Sequence, residues 1–127
     1  MKILVVDDNR AVLDSLSAML TSHGYCINTA CNGLDASEKS QSDVYDLLII
    51  DHLMPIMNGI QLVKTLRQVE QYSQTPIIFM TTQGKSTLKP EYKSGLFTDL
   101  IDKPIDEDNL LNMLANYQSS NTRSMSL

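Results

Sequence analysis

Five residues stand out for the chemistry that their types allow. Asp7 and Asp8 follow the apolar run ILVV, and Asp51 ends the run LLIID with no cation beside it. Thr81 ends the run IIFMT, and Lys103 stands before Pro104 in the segment DKP. A carboxylate can act as a nucleophile and carry a phosphoryl group. It then needs the charge on the transferring group offset by a divalent cation and a lysine, with a hydroxyl as a further donor. Three acids brought together repel one another unless something positive lies between them. Lys103 is one such charge, and a bound cation is another. Oxygen donors with positions left open for phosphate and water suit Mg²⁺. Taken singly, each residue has a plainer reading: acids past strands are often solvated loop residues, Lys103 a surface lysine, Thr81 a good strand former.

The elements that would position these residues follow from patterning. The chain has 127 residues, 43% of them hydrophobic and 20% charged, which suits one globular domain with its own core. No run of 18 apolar residues is present, so no segment reads as a membrane span, and MKILVVDDNR turns acidic too soon for a signal peptide. A net charge of −5 argues against a nucleic-acid surface. Cys26 and Cys31 match neither a zinc nor a redox spacing. They read as small buried residues in a reducing cytoplasm.

Continuous apolar runs at 2–7, 47–51 and 77–81 read as strands buried on both faces. Weaker strands are predicted at Tyr25 to Ala30 and at Asp99 to Asp102. Between them Val12, Leu13, Leu16, Met19 and Leu20 recur at helical spacing, with Gly24 at the exit. Shorter helices are predicted at Gly33 to Ser40 and from Asn58, a good N-cap, through Val69. A last helix is predicted over 106–117, opened by Asp106, Glu107 and Asp108. Pro90 disrupts the helical pattern at 86–94 and predicts a short or kinked helix. Strand–helix units repeated five times predict a doubly wound, five-stranded parallel α/β sheet with right-handed crossovers. Ligands bind at the carboxyl ends of such strands, where Asp7, Asp8, Asp51, Thr81 and Lys103 all lie. SSNTRSMSL lacks periodicity, so the domain is predicted over 1–118 with a tail or linker stump over 119–127.

With VVDDN, IIDHLMPIMNG, PIIFMTT and DKP in this order, each at the end of its own strand, the chain resembles the receiver domain of two-component response regulators. The resemblance implies the flavodoxin-like strand order 2-1-3-4-5. It implies that Asp51 takes phosphate from a sensor histidine kinase or a phosphotransfer protein. It implies that Mg²⁺ is held by Asp8 directly, by Asp7 largely through water, by Asp51 and by the main-chain carbonyl of Leu53. Thr81 would be the switch hydroxyl, Lys103 the phosphate-pairing lysine, and the bond before Pro104 cis. Phosphorylation would then bias a surface around 86–94, the fifth strand and the last helix toward a downstream protein target. The implied protein is cytoplasmic, is not an enzyme, makes no direct contact with nucleic acid or membrane, and is a monomer or a weak phosphorylation-dependent dimer.

The chain departs from the family pattern at several places. Leu100 stands where an aromatic residue is usual three positions before the lysine, and Ile105 replaces the usual aromatic after Lys-Pro. Thr82 takes the place of a smaller residue beside the phosphoryl site, and neither Leu53 nor Gln83 is acidic or basic. The Leu100 departure motivates the alternative of a receiver-fold adaptor that binds partners independently of phosphorylation. An aspartyl phosphohydrolase would need a second acid at position 53, and a flavin site would need a hydroxyl- and glycine-rich loop in place of DDNR. His52 neighbours Asp51, but successive residues of an extended segment point oppositely. It is therefore read as non-catalytic, His23 as a residue near a helix end, and Met54 and Met57 as packing. Gly59 reads as a close approach or a turn.

Overall fold

The apolar runs form five parallel strands: β1 (Lys2–Val6), β2 (Cys26–Ala30), β3 (Leu47–Asp51), β4 (Ile77–Thr81) and β5 (Asp99–Asp102). Their order in the sheet is 2-1-3-4-5, as the resemblance implies. The computed structural model describes residues 1–54, 57–82 and 95–125. The helices are α1 (Arg10–Ser22), α2 (Gly33–Ser42), α3 (Gly59–Arg67) and α4 (Glu107–Met125), with a 3₁₀ turn at Glu70–Tyr72. The pattern at 86–94, including Pro90, and Gln83 lie outside the described residues.

Period-two alternation divides the strand side chains between two cores. Leu4, Val6, Leu48, Ile50, Phe79 and Leu100 face α2 and α3, where they meet Ala36, Leu62, Val63 and Leu66. Ile3, Val5, Ile49, Ile78, Met80 and Ile101 face the other way, toward Leu13, Leu16 and Leu20 of α1 and Leu110 and Leu114 of α4. Each such aliphatic side chain contributes about 1.5–3 kcal/mol by leaving water. Strands β3 and β4 are buried along their whole lengths, which is why they read as unbroken apolar runs.

Capping chemistry sets where the helices begin. Asn9 accepts hydrogen bonds from the N–H groups of Ala11 and Val12 and starts α1 directly after β1. Asn58 and Gln61 form a reciprocal capping box that starts α3. Gly24, at φ +90°, provides the left-handed residue that ends α1 and turns the chain into β2. Two expectations are corrected. Both cysteines are exposed, not buried. Cys26 begins β2, an edge strand, and Cys31 follows its end, so neither is enclosed between sheet and helix. The last helix also runs beyond 117 to Met125, through most of the segment read as a tail.

Candidate functional site

The order of strands reverses between β1 and β3, since the chain passes from β1 outward to β2 and then back to β3. A crevice opens at the carboxyl ends of strands at such a point. The hydrogen-bond ladder continues one residue past the strands and holds the backbone there. Asp7 N–H donates to the Ala30 carbonyl at 3.1 Å, His52 N–H to Met80 at 2.9 Å, and Lys103 N–H to Thr81 at 2.9 Å. Asp7, Asp51 and Lys103 continue the alternation that faces α1 and α4. They therefore converge, although they come from three different strands.

Lys103 is the centre of the cluster. Its ammonium donates to Asp7 Oδ2 at 2.8 Å and to Asp51 Oδ1 at 3.0 Å. Asp7 is fully buried, and its other oxygen accepts the Asn9 N–H at 2.9 Å. Carboxylate oxygens of Asp7, Asp8 and Asp51 all lie within 4.8 Å of one another, close enough to share one cation. A cavity of about 240 Å³ opens over them, lined also by Asn9, His52, Leu53, Thr82 and Lys103. Leu53 is exposed at its mouth. The Lys103–Pro104 bond is cis.

The electrostatics follow from this crowding. Burial is the largest influence on Asp51 and raises its pKa; the charges of Asp7 and Asp8 add to the rise, and Lys103 opposes it. The balance leaves Asp51 pushed up to about 6. Burial alone would lower the Lys103 pKa, but its hydrogen bonds to Asp7 and Asp51 and their charges outweigh burial and raise it. The ammonium is thereby held charged between two acids.

The structure brings Asp7, Asp8, Asp51, Leu53 and Lys103 to one cavity, with Thr82 at its wall. Thr81 is fully buried and is not among the residues lining that cavity. Its Oγ1 shares a hydrogen bond with His52 Nδ1 at 3.1 Å. Alternation along the extended segment points His52 away from Asp51. That same alternation puts it on the Thr81 side of the sheet, and the register of β3 against β4 brings the two side chains together. Gly59 is required by a close approach: a Cβ there would overlap the Asp51 carbonyl and the Phe79 ring.

Comparison with known proteins places this arrangement. The profile of the response regulator receiver domain matches residues 3–115. Protein PilH of Pseudomonas aeruginosa is 34% identical over 110 residues, which cover 87% of this chain and 91% of PilH. Several other curated relatives are longer, and the chain spans about half their length. The chemotaxis protein CheY4 of Vibrio cholerae has a solved structure that superposes with a TM-score of 0.86 at 35% identity, covering 91% of this chain and 97% of that one. The receiver domain of a sensor histidine kinase from Pseudomonas aeruginosa, solved with a magnesium ion in its active site cleft, gives a TM-score of 0.83 at 25% identity, covering 91% and 95%.

Proposed function

The chain belongs to the response regulator receiver domain family, a signalling module of two-component systems, and on that premise we propose that Asp51 accepts a phosphoryl group from a sensor histidine kinase or a phosphotransfer protein. The observation that carries this reading is Lys103, whose ammonium bridges Asp7 and Asp51 at the mouth of one cavity. An Asp51 oxygen attacks phosphorus, forming a P–O bond as the P–N bond to the donor imidazole breaks. The electron pair leaves on the imidazole nitrogen. Lys103 lies within reach of the oxygens that gain charge and holds Asp51 ionised for the attack. Asp7, Asp8, Asp51 and the main-chain carbonyl of Leu53 would hold Mg²⁺, whose all-oxygen preference fits this donor set. When bound, Mg²⁺ neutralises charge on the phosphoryl oxygens.

The donor has an approach beside this cavity. A groove of about 570 Å³ runs between α1 and the segment before α4, and Asn9, Thr82 and Lys103 line both it and the cavity. Val12, Leu16 and Met19 provide its apolar wall. A partner segment seated there would present its side chain to Asp51. The phosphorylated site would then act on β5 and α4 to select a downstream protein, with the chain a monomer or a weak dimer.

The test is incubation with Mg²⁺ and a small phosphodonor, or with beryllium fluoride. The expected result is the mass gain of one phosphoryl group, or tight binding of the mimic, abolished in Asp51→Asn. Absence of both in the wild type rejects the reading. A second reading, a partner-binding module indifferent to phosphorylation, draws on Leu100, which is buried among aliphatic and aromatic side chains and presents no ring at the surface. Unchanged partner affinity on phosphorylation would select it.

A further inference from the structure

Alternation separates the site into two sets. Asp51 and Lys103 continue the positions of Ile49 and Ile101, which face α1 and α4. His52 and Thr81 continue those of Ile50 and Phe79, which face α2 and α3. On that second side His52 Nδ1 and Thr81 Oγ1 are joined at 3.1 Å. The His52 ring is fixed from beneath by Phe79, with centroids 5.4 Å apart, and Phe79 stacks on Phe97 at 4.7 Å and 7°. Phe79 is fully buried and Phe97 nearly so, which leaves the imidazole little freedom to follow the hydroxyl elsewhere.

We propose that His52 is a positioning residue that holds the Thr81 hydroxyl away from the phosphoryl site until Asp51 is modified. The proposal rests on the reading of Asp51 as phosphoacceptor. To reach a phosphoryl oxygen, Thr81 Oγ1 must turn away from His52 Nδ1, whichever of the two donates in their hydrogen bond. That bond therefore weights the equilibrium toward the unmodified arrangement. Position 52 thus places a ring beside the Thr81 hydroxyl, while position 100 is a leucine buried in the same core cluster as Phe79 and Phe97.

Beryllium fluoride affinity in Mg²⁺ tests this through equilibrium, independently of any transfer rate. His52→Phe keeps a ring on Phe79 and loses the nitrogen. It should bind the mimic roughly three- to tenfold more tightly, the size of one net hydrogen bond. His52→Asn places an amide group where Nδ1 stands and should return affinity toward the wild type. In a Thr81→Val background, which lacks the hydroxyl, His52→Phe should have no effect on affinity. Unchanged or weaker binding in His52→Phe overturns the proposal, as does the same gain in the Thr81→Val background. In the unaltered protein the imidazole ¹⁵N resonance of His52 Nδ1 should shift on adding the mimic, and a static resonance overturns the proposal without any variant. Failure of the wild type to bind at all removes the phosphoacceptor reading itself, whereas binding without a His52 effect removes only this inference.

Discussion

Removing the charge of Asp51 should stabilise the protein in the absence of Mg²⁺, and the structure sets the size of the effect. Asp51 is 5% exposed, lies close to two other acids and shares one ammonium with Asp7. Burial, reinforced by Asp7 and Asp8 and opposed by Lys103, puts its pKa at about 6. An unfolded aspartate titrates near ~4. A rise of about two units, at ~1.4 kcal/mol each, makes the ionised form cost about 3 kcal/mol. The direction with pH follows from linkage. Between about 4 and 6 the folded state retains a proton that the unfolded chain has released, so this group's effect is to lower stability as pH rises through that window. Asparagine carries no such charge, and its amide oxygen can still accept from Lys103.

The assay is urea unfolding of the wild type and Asp51→Asn, in chelator, across this range. The two should have equal stability below about pH 4 as far as this group decides it. The variant should gain through the window and lead by about 3 kcal/mol above about pH 6. Adding Mg²⁺ should narrow the gap, because a ligand that binds only the folded state stabilises it and the variant has lost one donor. No gap at neutral pH, or a gap that widens as pH falls, would refute the reasoning.

Lys103→Met should act in the opposite sense. It leaves buried Asp7 and Asp51 without their shared ammonium, which costs about 3–5 kcal/mol by urea unfolding in chelator, and Mg²⁺ should recover part of that; full stability without Mg²⁺ would show that the ammonium does not offset the acids. Gly59→Ala forces a methyl against the Asp51 carbonyl and the Phe79 ring. It should cost about 1–3 kcal/mol in thermal or urea unfolding and weaken beryllium fluoride binding by displacing Asp51. A variant as stable as the wild type would show that α3 can move away freely.

Legibility followed burial. LLIID and IIFMT are enclosed on both faces, so their sequences carry the strand signal unaided. CINTA in β2 is only half enclosed at the sheet edge. Its place was readable because Gly24 ends the preceding helix, but the exposure of its cysteines was not, since local composition does not mark a strand as an edge. The extension of α4 was hidden for a different reason. Residues 118–125 show no apolar period to signal packing, yet they contain neither Gly nor Pro, so nothing in the backbone stops a helix already begun. The acids and lysine of the site were legible because each stands at the point where an apolar run ends.

His52 shows what such a reading leaves out. Alternation gives its direction, away from Asp51. The residue it points toward belongs to the next strand, and only the register of β3 against β4 brings the two together: Asp51 pairs with Met80, so His52 falls beside Thr81. Contacts of this kind depend on which strands are neighbours and on their offset, neither of which is a local property of sequence. Alternation puts the hydroxyl on the opposite side of the sheet from Asp7, Asp51 and Lys103. At mid-strand the backbone would bar any exchange between the two faces. At the last residue of β4 the sheet ends, and a side chain can turn over the rim. A hydroxyl at Thr81, the last residue of β4, thus stands at the rim, with its backbone still held by the ladder to Lys103.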